Sequence, residues 1–304
     1  MTNIAKAKVA THLDATIAGP LFMLSASLIF TMNNLLIKLV NQQFNAWHIG
    51  FLRFIGGMVV IILLFGRHKN PYKGHNVRLL ILRGCVGSIT FLSAITAIRL
   101  LPVSTALVIF YSFPAFSAIF SFLIYRQHIG IIEIACIISV IIGIGILFDF
   151  QMVGGRLGQT MALIAGAFAG LTVTLIRTLR ETNGPVVIYL YLCTMGTLVT
   201  LPKFVMHPIL PSTPVEWAMI LGIIFTSTTG QLLMNQGFFY CKGWEGGVLM
   251  SSEVVFTAVL GIVFLGDPVT MRFWIGGLII LGSVVTLNRL QAYGEKNEQE
   301  IRRT

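Results

Sequence analysis

The chain has 304 residues, of which 56% are hydrophobic and only 11% are charged. Soluble domains carry about 25% charged residues, so this chain has too little polar surface to cover a soluble fold. The formal net charge of +10 does not indicate a nucleic-acid-binding protein, because no basic face alternates with aromatic residues.

Apolar stretches of about twenty residues, separated by short polar segments, fill almost the whole chain. A helix needs about 20 apolar residues to cross a hydrocarbon core of ~30 Å, and its backbone polar groups must be satisfied within the protein. The sequence therefore predicts an all-α membrane protein with ten transmembrane helices. In chain order the predicted spans are Ile17–Ile37, Ala46–Phe65, Leu79–Ile98, Pro102–Leu123, Ile129–Phe148, Leu157–Leu179, Val186–Met206, Val215–Phe239, Glu245–Leu265 and Arg272–Leu290.

The distribution of basic residues predicts the orientation. With a cytoplasmic N-terminus, most of the 21 Lys and Arg residues fall on the cytoplasmic side, as is usual for short loops. Residues 1–16 and 291–304 are then a cytoplasmic segment and a cytoplasmic tail of a multi-pass protein of the inner (cytoplasmic) membrane. The first span shows no Ala-x-Ala-like cleavage site, which favours a retained helix over a signal peptide.

The two halves of the chain resemble each other weakly. Gly19 corresponds to Gly158, Lys38 corresponds to Arg177 at the same offset, and Phe116 corresponds to Phe256 at an offset one residue longer. Each half holds an odd number of spans, so the second half enters the membrane from the opposite side. The sequence thus predicts two inverted five-helix repeats, 17–148 and 157–290, an organisation common in secondary transporters.

Three segments resemble drug/metabolite transporters of the EamA type. They are similar to that family's second helix, its fourth helix, and its ninth and tenth helices: WHIGFLRFIGGMVVIILL from Trp47, LPVSTALVIFYSFPAFSAIFSFL from Leu101, and EVVFTAVLGIVFLGDPVTMRFWIGGLIILG from Glu253. The resemblance covers nearly the whole chain. It implies a transporter of small metabolites whose helices one, three, four, six, eight and nine line a central cavity. In that family a proline commonly follows the glutamate, but here Val254 takes its place. The sequence therefore contains no proline that would predict a kink at this point.

Glu253 is the acidic residue that lies deepest in a predicted span. A charged carboxylate at the centre of a membrane helix costs about 2.5–3.5 kcal/mol on insertion scales. In the functional interpretation, Glu253 is a site that binds a proton or cation in alternation with the substrate. The alternative is a structural glutamate that is hydrogen-bonded between helices.

Other polar residues within the spans are candidates for a substrate site. Ser227, Gln231 and Asn235 are spaced four apart and share one face of span eight. The side-chain amides of Gln231 and Asn235 supply both donors and acceptors. Pro114 is expected to bend span four. The candidate substrate-binding residues are Asn34, Thr90, Tyr111, Ser112, Ser227, Gln231, Asn235 and Glu253. The alternative role of each is interhelical hydrogen bonding, worth roughly 0.6 kcal/mol.

Two arginines and a ridge of small residues receive structural interpretations. Arg53 is interpreted as a structural residue, and Arg83 is expected to extend to the membrane interface, so neither predicts an anionic substrate. Ala162, Gly166 and Gly170 form a small-xxx-small ridge that favours close helix packing.

The leading functional hypothesis is a secondary active transporter that exports amino acids or related compounds. The alternative is an uptake transporter for a nucleoside-like or S-adenosylmethionine-like metabolite. A channel is less favoured because of the inverted repeat. An intramembrane enzyme is less favoured because the histidines sit at span ends and no second deep acid accompanies Glu253. An ATP-driven pump on this chain is excluded by the lack of a GxxxxGK[ST] loop.

The expected partners follow from that hypothesis. The sequence predicts a small-molecule substrate, a lipid bilayer and protons as the candidate coupling ion, with no nucleic acid. Scattered cysteines argue against a disulfide framework or a metal site, and neither a metal nor another cofactor is expected. A monomer and a homodimer both remain open.

Overall fold

The structure, a computed structural model, describes residues 2–66, 72–126, 130–147, 155–180, 182–240, 249–268 and 270–301, and the regular elements within them are helices. In chain order these helices are α1 Thr2–Leu39, α2 Ala46–Phe65, α3 Val77–Leu100, α4 Val103–Phe110, α5 Phe113–Tyr125, α6 Ile131–Leu147, α7 Gly155–Arg180, α8 Pro185–Met206, α9 Pro214–Tyr240, α10 Ser252–Leu265 and α11 Met271–Ile301.

The apolar helical segments confirm the predicted membrane fold. Within the described residues, seven are long and apolar enough to cross a membrane, and three shorter apolar segments accompany them: Ile131–Leu147, Ser252–Leu265 and Met271–Thr286. Each predicted span corresponds to one of these segments. Helix α1 begins at Thr2, so the polar segment before the first span continues the same helix.

Helix α2 begins and ends at the predicted residues. Its start is fixed by a capping box, in which the Asn45 side chain accepts hydrogen bonds from the backbone amides of Trp47 and His48. The His48 ring in turn accepts a bond from the Asn45 amide at 3.3 Å. These bonds satisfy amides that have no partner within the helix.

The fourth span is broken close to Pro114. Helix α4 ends at Phe110, Tyr111 and Ser112 form a turn, and Pro114 lies in the first turn of α5. Proline has no amide hydrogen and its ring clashes with the carbonyl four residues earlier. The bend expected from the sequence is therefore present, as a complete interruption of the helix.

The ninth span is also interrupted, which the sequence did not predict. Residues 249–250 are helical, Ser251 is a turn and α10 begins at Ser252, whereas residues 241–248 of the predicted span lie outside the described residues. Under the correspondence of Phe116 with Phe256, Ser251 and Ser252 match Tyr111 and Ser112. Both repeats thus break the equivalent helix at the equivalent place.

Helix packing follows the same repeat. Helix α3 packs on α7, and the equivalent pair, α9 and α1, packs likewise. Helix α2 packs on its counterpart α8, and α6 packs on its counterpart α11. Exchanging the two halves reproduces these pairs, which is the behaviour of two repeats related by a pseudo-twofold axis.

The small-residue ridge of α7 lies directly against the interrupted fourth span. A Cβ at Gly170 would lie 2.7 Å from the backbone nitrogen of Ser117 and 2.8 Å from the carbonyl oxygen of Phe113. A Cβ at Gly166 would lie 3.0 Å from the carbonyl oxygen of Phe110. The absence of side chains here lets the two backbones touch, as membrane helices commonly do.

Substitution of Gly170 tests this packing. Gly170→Ala is expected to lower the free energy of unfolding by about 1–3 kcal/mol, because the new methyl group forces two backbones apart. The measurement is the thermal melting midpoint in detergent. Gly282→Ala is the matched control, since a Cβ there meets no atom within 4 Å, and an equal effect of both substitutions would contradict the close approach.

Candidate functional site

A cavity of about 350 Å³ lies between the two repeats. Its walls come from α1, α3, α4, α7 and α9 and from the segment around Glu253, which are the helices that the family resemblance implies. Arg53 of α2 and Phe113 of α5 also contribute. Apolar residues make up most of the lining, and polar groups are concentrated in a few places, as is typical of small-molecule sites.

Glu253 is buried in the first turn of α10, directly after the break at Ser251. Its Oε1 accepts a hydrogen bond of 2.8 Å from Nδ2 of Asn34 in α1. Its Oε2 lies 2.7 Å from the hydroxyl oxygen of Tyr111. The glutamate therefore joins α1, the break in the fourth span and the break in the ninth.

The Tyr111 hydroxyl links the two helix breaks. It lies 2.7 Å from the carbonyl oxygen of Met250 and 2.7 Å from Glu253 Oε2. A phenolic hydroxyl has one proton to donate, so it cannot serve both acceptors at once. If the carboxyl group is protonated, it donates to the tyrosine oxygen while the tyrosine donates to Met250, and each contact is satisfied.

The predicted site residues separate into two groups. Asn34, Thr90, Tyr111, Gln231 and Glu253 line the cavity, whereas the remaining three do not: Ser112, Ser227 and Asn235.

The two serines donate to carbonyls three residues earlier in the chain and are not part of the cavity lining. The hydroxyl of Ser112 donates to the carbonyl of Ile109 at 2.7 Å, and that of Ser227 donates to the carbonyl of Ile224 at 3.1 Å. Such local bonds are a common use of serine in helices. A stripe of polar residues along one helix face therefore contains both cavity residues and locally bonded ones.

Two amides of α9 retain unused hydrogen-bonding groups. Oε1 of Gln231 and both amide atoms of Asn235 are buried without a hydrogen-bond partner in the described part of the chain. Buried polar atoms usually have partners. Gln231 presents such a group directly at the cavity wall.

The interpretation of Arg83 as an interfacial residue is wrong. Both Arg53 and Arg83 are only 1% exposed, and both line the cavity. All three guanidinium nitrogens of Arg53, and Nε and Nη1 of Arg83, lack a hydrogen-bond partner among the described residues. The sequence offered one signal for this placement, namely that both arginines lie inside apolar spans.

Phe91 holds the Arg53 guanidinium by its face. The central carbon of the guanidinium lies 3.8 Å from the centroid of the Phe91 ring. A cation–π contact of this kind is attractive, yet it leaves the N–H groups at the edge of the guanidinium plane unpaired. Arg53 therefore contributes to the cavity wall while its N–H groups have no hydrogen-bond acceptor among the described residues.

One face of the molecule, here called the Lys38 face, is held by bonds between the ends of α1 and α3. Nζ of Lys38 donates to the carbonyls of Ile98 and Leu101. The Arg99 guanidinium donates to the carbonyls of Ile37 and Val40 in return.

Two carboxylates extend this closure of the Lys38 face. Oδ2 of Asp267 accepts bonds from the backbone amide and the hydroxyl of Ser104 at the start of α4. Oε1 of Glu216 accepts bonds of 2.8 Å from the side chains of Asn41 and Gln43. The segments that enter this face from both repeats are therefore tied together.

Metal binding has no local support in the described residues, which contain no group of three His, Cys, Asp or Glu side chains suited to hold an ion.

These features define a class of protein. Apolar helices in two inverted repeats, with interrupted helices meeting at a buried cavity, are characteristic of membrane transporters. The sequence matches the EamA-like transporter family over residues 17–148 and 156–289, and the chain belongs to that family. The resemblance to drug/metabolite transporters is thereby confirmed.

Named relatives are also transporters or solute carriers. The chain is 25% identical over 278 residues to the pseudopaline exporter CntI of Pseudomonas aeruginosa, which covers 91% of this chain and 98% of the exporter. It is 23% identical to human solute carrier family 35 member G1, over 88% of this chain and 78% of the human protein. A solved crystal structure aligns with 90% of this chain and 96% of its own at a TM-score of 0.61 and 17% identity, which establishes similarity of fold.

Removal of the Tyr111 hydroxyl tests the link between the two breaks. Tyr111→Phe is expected to destabilise the protein by about 1–3 kcal/mol, because it leaves the buried Met250 carbonyl without its donor and removes the hydroxyl that contacts Glu253. The melting midpoint in detergent measures this. Tyr240→Phe is the matched control, because that tyrosine is exposed, and a comparable loss in both variants would contradict the proposed link.

Cysteine labelling tests the division of the polar stripe. In a cysteine-free background, Gln231→Cys is expected to react with a small water-soluble maleimide or methanethiosulfonate reagent, because residue 231 faces the cavity. Ser227→Cys is expected to react far more slowly, because Ser227 is fully buried away from it. Equal labelling at both positions would contradict the observed lining.

Proposed function

We propose that the protein is a secondary active transporter that exports amino acids or related compounds by alternating access, with protons as the coupling ion. The observation that carries the proposal is the position of Glu253, a buried carboxyl group at the junction of two interrupted helices and at the wall of the cavity. A group in that place can respond both to a proton and to a substrate.

Proton coupling is supported by the hydrogen bonds around Glu253. The single proton of Tyr111 faces two acceptors, and a proton on Glu253 removes the conflict. Loss of that proton frees the carboxylate to bind a cationic group of a substrate. Proton and substrate then compete for one site, which is the simplest basis for exchanging one for the other.

Alternating access is supported by the difference between the two faces of the molecule. The Lys38 face is closed by bonds between α1 and α3 and by the contacts of Asp267. The cavity lining extends in the other direction to Arg180, the last residue of α7. Two repeats with equivalent packing can exchange these roles, so that the opposite face closes in the other state.

The proposal includes the direction of transport and the orientation of the chain in the membrane. Efflux is favoured because the relative CntI is named an exporter, and uptake of a metabolite is the alternative outcome of a flux measurement. The excess of basic residues supports a cytoplasmic position for residues 1–16 and 291–304. The boundaries 17–148 and 157–290 then describe the two repeats in the inner membrane.

Substitution of the glutamate tests the coupling. In proteoliposomes, counterflow with amino acids, nucleosides and S-adenosylmethionine identifies a transported substrate, and an imposed pH gradient then measures coupled flux. Glu253→Gln is expected to reduce flux driven by the pH gradient at least tenfold while the melting midpoint persists, because glutamine cannot release a proton.

Glu133→Gln is the matched control. Glu133 lies in the first turn of α6 and is not part of the cavity lining, so coupled flux should remain at the wild-type level. Undiminished coupled flux in Glu253→Gln would remove this residue from the coupling mechanism. Export should remove substrate from one side of the membrane, so accumulation of substrate on that side alone would favour uptake.

A further inference from the structure

We infer that the cavity binds an acidic amino acid or a close analogue, with its carboxylates on Arg53 and Arg83 and its amine on Glu253. This inference rests on the proposed transport function and specifies the substrate class of the same cavity. Its basis is the pair of buried arginines, Arg53 and Arg83, in which five nitrogen atoms have no hydrogen-bond partner among the described residues.

Unpartnered guanidinium groups are costly in the interior of a membrane protein. A buried charge normally persists only when it is paired and hydrogen-bonded, and intramembrane arginines usually face a partner or a wet cavity. Arg53 and Arg83 are both 1% exposed and both contribute to the cavity wall. The missing partner is therefore expected to be a molecule that enters the cavity.

The geometry of arginine indicates what that partner carries. The planar guanidinium presents its N–H groups as a fork that matches a carboxylate or phosphate with two parallel bonds. Phe91 covers the face of the Arg53 guanidinium, so only the edge remains available. An oxygen anion that approaches in the plane of the guanidinium satisfies this edge.

Other residues of the cavity wall present acceptors. Glu253 has lone pairs beyond those used by Asn34 and Tyr111, and Oε1 of Gln231 has no donor among the described residues. An ammonium group has three N–H donors and no acceptor, so it complements this wall. A ligand that carries both carboxylates and an amine can use the arginines and these acceptors together.

The balance of charge favours an anionic ligand over a neutral one. Arg53 and Arg83 line the cavity together with the carboxyl group of Glu253. Even when Glu253 is ionised, the pair Arg53 and Arg83 leaves an excess of one positive charge. A molecule with two carboxylates and one amine carries a net charge of −1 and neutralises it. The volume of about 350 Å³ accommodates a molecule of that size.

Four probes of similar size separate the contributions of the second carboxylate, the amine and the type of anion. They are L-glutamate, its neutral isostere L-glutamine, glutarate, which lacks the amine, and glycerol 3-phosphate, which replaces carboxylate by phosphate. With the purified full-length protein in detergent, L-glutamate at millimolar concentration is expected to raise the melting midpoint most. Glutarate should give a smaller shift, and the other two probes little or none.

Substitution of the arginines tests their role directly. Arg53→Met and Arg83→Met are each expected to weaken the apparent affinity for L-glutamate about 10–100-fold, as the loss of a charge-assisted contact implies. Without ligand, both variants should melt at a higher temperature than the wild type, because each removes an unpaired buried charge. A gain in stability together with a loss of binding is not expected of an arginine with a structural role.

Two further arginines of α3 serve as controls. Arg78 is exposed at the start of the helix, so Arg78→Met should leave binding unchanged despite the same change in net charge. Arg99 donates to the carbonyls of Ile37, Val40 and Asn41, so Arg99→Met should lower the melting midpoint.

Several results would overturn the inference. These are the absence of a shift with any probe, an equal shift with L-glutamine or glycerol 3-phosphate, retained affinity in Arg53→Met, or lower stability of both ligand-free variants. Exchange of neutral metabolites by liposomes that ignore L-glutamate would overturn the inference and leave the transport function intact. Binding of L-glutamate without exchange of any metabolite would instead overturn the transport function.

Discussion

The structure depends on how backbone and side-chain polar groups are satisfied inside an apolar slab. An interrupted helix leaves amides and carbonyls unpaired, and in hydrocarbon such groups are tolerated only where protein or an enclosed cavity satisfies them. The breaks at Tyr111–Ser112 and at Ser251 therefore meet at the cavity, where the Tyr111 hydroxyl reaches the Met250 carbonyl. Glu253 sits at this junction, and its surroundings follow from the two breaks.

The membrane spans and one of the breaks were predictable because they depend on local chemistry. Hydropathy placed Ala46–Phe65 at its observed bounds, and the geometry of Pro114 accounts for the end of α4. No proline lies close to Ser251 in the sequence to predict the break there. It arises because the second repeat has the same packing as the first, and that information lies in the tertiary structure.

The sequence predicted which residues belong to the candidate site better than it predicted the direction in which each side chain points. Asn34, Tyr111, Gln231 and Glu253 do face the cavity, whereas Ser227 shares a helix face with Gln231 and satisfies itself within its own helix. The arginines were missed because a long side chain near a helix end can point to the interface or inward. Only the packing of α2, α3 and α8 decides that Arg53 and Arg83 point inward.

The Lys38 face has a property that follows from its choice of acceptors. Each of two parallel helices ends in a cation that bonds to the terminal carbonyls of the other, Lys38 with those of α3 and Arg99 with those of α1. Helix C-termini carry partial negative charge. Separating the ends of α1 and α3 would therefore expose both sets of carbonyls and leave both cations without these acceptors. Because these carbonyl acceptors belong to the main chain, substitution changes this reciprocal contact chiefly at Lys38 and Arg99, and at Gln42, whose Oε1 also accepts a bond from Arg99.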